Sequence, residues 1–279
     1  MTVDEPLPSE TTLGRVALTV ADCEQVTAFY AETVGLAVQE RRDGHTVLGD
    51  GETALLELHE DPDAIERAPD ETGLYHLAVR VPSRTALGAA LERIDRTARL
   101  DGASDHHVSE ALYLTDPEGN GVEIYRDRPR TQWEEHHDGS VRMGTDRLDR
   151  AAVERASDGA TSVPVGTDIG HVHLEVADLE ATRSFYVEGL GLNVRATAPG
   201  ACFLAAGSYH HHVGLNVWHA RSGPGDGRGL AWYELVVPTG AFEDVPRRLR
   251  EAGYASEPAD EGVVTTDPAG IDVRIRPRR

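Results

Sequence analysis

The chain has 279 residues and a net charge of −21, and its length is typical of about two domains. Hydrophobic residues make up 39% of it, which excludes wholesale disorder, and no apolar run is long enough for a transmembrane helix. The only cysteines, Cys23 and Cys202, stand far apart, which excludes a disulfide scaffold and a cysteine-based zinc cluster. Residues 1–10 are acidic and lack the basic start and apolar core of a signal peptide, so we expect a cytoplasmic protein.

Acidic residues outnumber basic residues along the whole chain. There are 48 acidic residues against 27 basic ones, and every strong base is arginine because the sequence has no lysine. So much negative charge repels phosphate backbones, which disfavours binding to nucleic acid. The acidic residues are dispersed and do not form a patch for a basic partner. This pattern indicates adaptation to a cytosol with molar salt, where self-repulsion is screened.

Two segments of the chain repeat each other at an offset of 156 residues. Residues 13–38 read LGRVALTVADCEQVTAFYAETVGLAV and residues 169–194 read IGHVHLEVADLEATRSFYVEGLGLNV, which are identical at 13 of 26 positions without a gap. A match of this extent indicates a tandem duplication, so both halves are predicted to share one architecture.

Each copy begins with a strand pattern and continues with a helix pattern. In the first copy, apolar residues alternate through 16–20, and Asp22 then stands where a helix N-cap is expected. Apolar residues at helical spacing follow in 26–30, and Gly35 fits a C-terminal cap. Strand-like stretches within 45–59 complete the unit, which is a βαβββ module.

A second, more diverged module follows in each half. It opens with GLYHLAVRVP at 73–82 and, 156 residues later, with GLAWYELVVP. Helices are expected near 83–99 and near 239–252. Both modules close with an Asp-Pro turn and a strand, TDPEGNGVEIY at 115–125 and TDPAGIDVRI at 266–275.

The four modules predict an α+β fold. The predicted domain bounds are 11–128 and 167–279, with two modules in each domain. The segment 129–166 between them is predicted to be a linker, since its end is rich in Gly, Ser, Thr and Asp. A short helix is expected near 146–156.

Four strings, GLYHLAVRVP, DGASDHHVSEALYLTDPEGNGVEIYRDRPR, IGHVHLEVADL and SYHHHVGLNVW, carry a resemblance that covers residues 12–276. The chain resembles the vicinal oxygen chelate superfamily, which includes glyoxalase I, bleomycin-resistance proteins and extradiol ring-cleavage dioxygenases. Among these it looks most like the two-domain catechol 2,3-dioxygenases of the bacillus type. The resemblance implies two vicinal-oxygen-chelate domains, in which paired βαβββ modules form cupped mixed sheets that hold a metal.

The resemblance also places metal ligands on the first and last strands of each module. In chain order these positions hold Arg15 and Glu57, His76 and Glu123, His171 and Asn216, and Trp232 and Arg274. If neighbouring modules share a cup, neither cup contains two imidazoles. If module two pairs with three, and one with four, the first of these cups holds His76, Glu123 and His171, plus Asn216. The other cup then has no plausible metal set, and we favour this second partition.

Two neutral imidazoles and one carboxylate match the facial triad of non-heme Fe(II) oxygenases, which leaves positions for two catechol oxygens and dioxygen. We therefore predict Fe(II) at His76, Glu123 and His171, with Mn(II) as the alternative. Zinc enzymes with similar ligands exist, so the triad alone does not fix the metal. Glyoxalase I usually has a second carboxylate where this chain has Asn216, and this departure weighs against glyoxalase chemistry.

Three further side chains receive catalytic roles from the resemblance. His106 and Tyr113, followed by a Pro-x-Gly turn and Glu123, nearly fit the extradiol dioxygenase pattern. In that pattern the histidine and the tyrosine hydrogen-bond the bound hydroxyl and help to deprotonate it. In the triplet 210–212, strand alternation puts His212 and His210 on the same face as Asn216, toward the cup. Of these, His212 best matches the family's acid–base histidine near the dioxygen site. Five other histidines are interpreted as surface residues: His45, His59, His136, His137 and His219.

The sequence therefore predicts an extradiol dioxygenase that opens a catechol ring beside the diol. Its expected partners are catechol and O2, with neither nucleic acid nor a membrane. A homo-oligomer is left open, because oligomers are common in this group. One alternative is a glyoxalase-I-like or thiol-transferase-like metalloenzyme of the same superfamily. The other is a metal-free binding protein of the bleomycin-resistance type, which the intact set of two histidines and a glutamate disfavours.

Overall fold

The computed structural model describes residues 6–225 and 227–278, so the first five residues of the acidic segment 1–10 lie outside it. Within the described residues each module is a strand, a helical segment and three further strands. Module one has β1 (Thr12–Val20), α1 (Cys23–Phe29), β2 (Ala37–Arg42), β3 (His45–Gly49) and β4 (Ala54–Glu60). Module two has β5 (Gly73–Arg80), α2 (Arg84–Thr97), β6 (Gly102–Asp105), β7 (Ser109–Thr115) and β8 (Gly121–Asp127).

The connecting segment carries a short strand and a short helix, β9 (Asp146–Arg147) and α3 (Arg150–Glu154). Module three has β10 (Asp168–Glu175), α4 (Leu179–Ser184), β11 (Asn193–Ala198), β12 (Ala201–Ala205) and β13 (Val213–Asn216). Module four has β14 (Gly229–Val237), α5 (Thr239–Phe242), α6 (Val245–Glu251), β15 (Glu257–Ala259), β16 (Gly262–Thr266) and β17 (Asp272–Pro277). The predicted α+β fold of four βαβββ modules is confirmed.

The helix predicted near 239–252 is interrupted, unlike the one near 83–99. It forms two pieces, and Pro246 lies in the first turn of the second piece. Proline lacks the amide hydrogen that a helix interior requires, so it is compatible with a new helix start and not with a continuous helix.

Local sequence signals set the ends of the first helix in each half. The Asp22 side chain accepts a hydrogen bond from the Gln25 amide at 2.9 Å, and Asp178 accepts one from the Ala181 amide at 2.9 Å. After α1, a π-helical turn runs over Tyr30–Val34 and stops at Gly35, whose φ of 90° suits glycine. These contacts are the caps that the sequence predicts.

The strands form two mixed sheets, and each sheet combines modules from both halves of the chain. A nine-stranded sheet, β11-β12-β13-β10-β5-β8-β7-β6-β9, joins modules three and two, and an eight-stranded sheet, β15-β16-β17-β14-β1-β4-β3-β2, joins modules four and one. The joins are the antiparallel pairs β5 with β10 and β1 with β14. The predicted partition of the modules is therefore confirmed. The bounds 11–128 and 167–279 for the domains stay a prediction.

Consecutive modules are tied by a tyrosine–aspartate contact that occurs twice. The Tyr30 hydroxyl donates to Asp116 at 3.4 Å, and the Tyr186 hydroxyl donates to Asp267 at 2.9 Å. Both aspartates begin the Asp-Pro turns and accept amide hydrogens from them. Burial raises the pKa of Asp267 to about 6. The duplication thus repeats a buried contact as well as a fold.

None of the helices in the described part of the chain combines the length and the hydrophobicity needed to traverse a bilayer.

Candidate metal centre

Three neighbouring central strands of the nine-stranded sheet bring the predicted ligands together. On β5, Ala78 lies opposite Glu123 of β8 and opposite His171 of β10. His76 precedes Ala78 by two residues, so its side chain points to the same face of the sheet. The small, fully buried Ala78 side chain leaves space for the three larger ones above it. The convergence therefore follows from strand register.

The three ligand atoms form a tight triangle. Glu123 Oε2 lies 3.0 Å from His76 Nε2 and 3.1 Å from His171 Nε2, and the two Nε2 atoms are 3.3 Å apart. Ligand atoms about 2.1 Å from a metal ion are about 3.0 Å apart in an octahedron and about 3.4 Å apart in a tetrahedron. The observed separations fall in this interval, so the residues present fit a divalent metal ion.

The environment favours the metal-binding protonation states of His171 and Glu123. His76, Glu123 and His171 are at most 7% exposed. Burial lowers the pKa of His171 to about 4, so its imidazole is neutral at neutral pH. Burial alone would raise the pKa of Glu123, but the His171 and His76 rings nevertheless hold that pKa well below its usual range. A neutral imidazole and an ionised carboxylate are the protonation states that bind metals.

The triangle lies in the wall of a cavity of about 1150 Å³ that is open to solvent. His106 and Tyr113 also line this cavity. Five of the predicted site residues therefore face one space: His76, His106, Tyr113, Glu123 and His171. A cavity of this size is ample for a ring compound, since small-molecule sites are usually about 300–1,000 Å³.

His106 and Tyr113 form a hydrogen-bonded pair beside the triangle. His106 Nδ1 lies 2.6 Å from the Gly144 carbonyl oxygen, which can only accept, so in the neutral ring Nδ1 carries the hydrogen. Its Nε2 then accepts from the Tyr113 hydroxyl at 2.6 Å. Tyr113 lies opposite Glu123 in the β7–β8 pair, and burial raises the pKa of its phenol well above the usual value. Tyr113 is therefore a protonated donor next to the candidate ligands.

The histidine triplet is arranged differently from the prediction. His212 does not line the cavity in the described part of the chain; its Nδ1 accepts a hydrogen bond from the Ala206 amide at 3.2 Å. Burial lowers the pKa of His212 to about 3. His211 lines the cavity instead, with its ring centroid 4.1 Å from that of His171. The orientation predicted for His212 is wrong because β13 begins only at Val213, so strand alternation does not extend back to the triplet.

A hydrogen-bonded chain fixes the tautomer of His211. His210 Nε2 donates to Asp127 at 3.0 Å, so Nδ1 of the neutral His210 ring is an acceptor. His211 Nδ1 lies 2.7 Å from that atom and must be the donor, which leaves His211 Nε2 as an acceptor. The sequence signal for His211 is the histidine triplet 210–212. Only the backbone path decides which of the three rings faces the cavity.

Asn216 also lies elsewhere than predicted. Its side chain is fully buried outside the cavity wall, and its Oδ1 accepts from the Trp218 amide at 3.2 Å. The strand position that corresponds to Glu123 is occupied by Gly214, opposite His173. A Cβ atom at Gly214 would lie 2.9 Å from the His173 ring, so this ring fills the space. Within the described residues β13 therefore contributes no side-chain ligand to the triangle.

The equivalent positions of the eight-stranded sheet are filled by ion pairs. Arg15 donates to Glu57 Oε1 and to Glu234 Oε1, both at 2.7 Å. The Arg274 guanidinium stacks over the Trp232 ring at 3.7 Å from its centroid. An ion pair and a stacking contact thus engage the four ligand positions of this sheet: Arg15, Glu57, Trp232 and Arg274.

The sequence of the chain matches a known protein family and a named relative. The model of the glyoxalase/bleomycin resistance protein/dioxygenase superfamily matches residues 12–124 and 168–275. A protein of Bacillus subtilis (strain 168) named catechol-2,3-dioxygenase is 40% identical over 271 residues, which covers 93% of this chain and 94% of that protein.

Solved structures share the fold at low sequence identity. A proposed dioxygenase from Bacillus subtilis subsp. subtilis str. 168 superposes with a TM-score of 0.64 at 14% identity, covering 98% of this chain and 86% of that one. Glyoxalase I from Zea mays superposes with a TM-score of 0.58 at 15% identity, covering 95% of this chain and 92% of that one. At these identities the likeness concerns the fold alone.

Proposed function

The chain belongs to the glyoxalase/bleomycin resistance protein/dioxygenase superfamily, and from this membership we propose that it is a metal-dependent extradiol dioxygenase that cleaves catechols with O2. The observation that carries the proposal is the buried triangle of His76, Glu123 and His171 in the wall of an open cavity. The 40% identical relative named catechol-2,3-dioxygenase supports the same reaction class.

Fe(II) is the metal that we propose, since two neutral imidazoles and one carboxylate are typical of non-heme Fe(II) oxygenases. The chemistry supplied by Fe(II), when bound, is to chelate both oxygens of the catechol and to mediate electron transfer to O2. His76, Glu123 and His171 would hold the ion, and their combined charge of −1 leaves a net positive site that favours an anionic catechol. Loading the same protein with Fe(II) or with Mn(II) tests which of the two ions supports activity.

Tyr113 and His106 are placed to receive the proton of a catechol hydroxyl. The phenol donates to Nε2 of His106, so the phenol oxygen is free to accept from a substrate hydroxyl on the cavity side. Transfer of the substrate proton to this pair would pass charge to an imidazole, whose own Nδ1 is anchored on the Gly144 carbonyl. We propose that this pair positions and deprotonates the catechol.

His211 is proposed to take and return a proton on the opposite side of the triangle. The hydrogen-bonded chain from Asp127 through His210 leaves His211 Nε2 with a lone pair, which is the form that a general base needs. Its ring contacts that of His171, so a proton held there is next to the candidate metal. This role replaces the one that the sequence assigned to His212.

Replacing Tyr113 with phenylalanine is expected to lower kcat/KM for catechol by about 10²-fold, since a positioned acid–base group contributes about 10²–10⁴-fold. Bound metal and melting temperature should stay unchanged, because the variant loses one hydroxyl only. Tyr75→Phe is the matched control. Tyr75 also lines the cavity and packs on His76, but it has no hydrogen bond to His106. Equal activity of both variants would remove Tyr113 from the mechanism.

The decisive experiment is dioxygen uptake with catechol after anaerobic loading with Fe(II). We propose that the enzyme works in a cytosol with molar salt, so the assay is made in molar KCl and in dilute buffer. We expect uptake, a yellow ring-opened product and higher activity in KCl. Folded protein that binds one iron per chain but consumes no O2 would reject catechol cleavage, and equal activity in dilute buffer would reject salt adaptation.

A further inference from the structure

A second group of two imidazoles and one carboxylate lies in the eight-stranded sheet. It consists of His45 on β3 and of Glu57 and His59 on β4. His45 and His59 are direct cross-strand partners, and their ring centroids are 4.8 Å apart. Glu57 precedes His59 by two residues, so all three side chains leave the same face of the sheet. The sequence pattern alone predicts both histidines to be surface residues.

The distances within this group are those of a loose ligand set. Glu57 Oε2 lies 3.5 Å from His45 Nε2 and 3.5 Å from His59 Nε2. One ligand atom from each of the three residues lies within 4.8 Å of the other two. His59 Nε2 is buried and makes no aligned hydrogen bond with any described residue. A buried imidazole nitrogen that makes no aligned hydrogen bond, 3.5 Å from a carboxylate oxygen, leaves a place that a cation would complete.

The strand register relates this group to the first triangle. Glu57 lies opposite Ala17 as Glu123 lies opposite Ala78, so the carboxylate has kept its position in the duplicated sheet. Arg15 stands at the position that His76 occupies in the other sheet. In the β3–β4 pair His45 and His59 face each other next to Glu57, at positions that hold an alanine and a tyrosine in the β7–β8 pair. The carboxylate thus keeps its register position, whereas the two imidazoles of this group lie on the β3–β4 hairpin and those of the first triangle lie on the central strands β5 and β10.

Ion pairs orient the carboxylate toward the two histidines. Arg15 binds Glu57 Oε1 at 2.7 Å, which leaves Oε2 directed to His45 and His59. Arg15 is held in turn by Glu234 at 2.7 Å and Glu261 at 3.4 Å, so its positive charge is more than balanced. A charged neighbour that fixes a ligand is a usual feature of metal sites.

We propose that His45, Glu57 and His59 form a second divalent metal site, separate from the dioxygenase centre. Imidazole ligands select late first-row ions such as Co(II), Ni(II), Cu(II) or Zn(II), whereas Mg(II) and Ca(II) require oxygen ligands. The side chains of His45 and His59 are 27% and 42% exposed, so the ion exchanges with solution and water completes its coordination. Bound metal would pin β3 to β4 near the edge of this sheet.

Cobalt(II) is the probe, because its visible spectrum reports nitrogen ligation and its binding can be counted. The full, tag-free chain is stripped of metal and dialysed against Co(II) in molar KCl. We expect two ions per chain for the wild type, one for His59→Ala and one for His76→Ala, and none for the double variant. His137→Ala, which removes an exposed imidazole outside both groups, is the control and should keep two.

The result that overturns the proposal is a wild type and a His59→Ala variant that bind equal numbers of Co(II). His45→Ala provides a second test if His59→Ala does not fold, and it is expected to lose the same ion. Melting curves without metal show whether each variant is folded. The cobalt count and catechol cleavage are separate readouts, so the two proposals can fail independently. His59→Ala should lose one ion and keep catechol cleavage. A wild type that does not cleave catechol would still be expected to bind two Co(II) ions.

Discussion

His76→Ala is expected to lose the metal of the buried triangle and, with it, at least about 10³-fold of the catechol cleavage activity. The variant leaves one imidazole and one carboxylate, which is too few protein ligands to retain a divalent ion in competition with water. The measurements are iron content after anaerobic loading and O2 uptake at saturating catechol.

His59→Ala is the matched control for this prediction, because it makes the same change at a histidine of the other sheet. It is expected to cleave catechol at the wild-type rate. A His76→Ala protein that is folded, carries one iron per chain at the triangle and still consumes O2 would show that His76 is not a ligand. Loss of activity with retained iron would assign His76 to the substrate instead of to the metal.

Arg93→Met is expected to lower the free energy of unfolding by about 3–5 kcal/mol, since each buried carbonyl left unpaired costs about 1–3 kcal/mol. Arg93 is 2% exposed and lies on α2 of module two. Its guanidinium donates to the carbonyl oxygens of Val34 at 2.8 Å, Ala160 at 2.9 Å and Thr33 at 3.3 Å. It therefore joins module two both to module one and to the segment that connects the halves.

Denaturant unfolding in molar KCl measures this effect, and Arg96→Met is the control on the same helix. Arg96 is exposed, so its replacement should change the free energy of unfolding by no more than about 0.5 kcal/mol. The chain has a related contact in its second half, where the buried Arg248 donates to the Leu190 carbonyl at 3.4 Å. Equal stability of the two variants would show that the Arg93 contacts are replaced by water at little cost.

Much of the fold was predictable because its signals are local. The capping aspartates, the glycine after the first helix and the Asp-Pro turns each act within a few residues, and all lie where the sequence indicates. Even the pairing of modules, a long-range property, could be inferred from the ligand types, since only one partition gave a cup with His76, Glu123 and His171. The geometry of that triangle follows from the register of three adjacent strands.

Other parts of the site depend on the backbone path and on contacts between distant strands. His211 faces the cavity in place of His212 because the triplet precedes β13 and does not follow strand alternation. Asn216 lies two residues beyond the ligand position because the β10–β13 register puts Gly214 there. His45 and His59 meet Glu57 because β3 and β4 pair in one particular register. The sequence by itself determined the modules and the chemical types of their ligands; the tertiary structure alone decided which side chains share a face, because strand register and irregular segments are set by packing across the whole sheet.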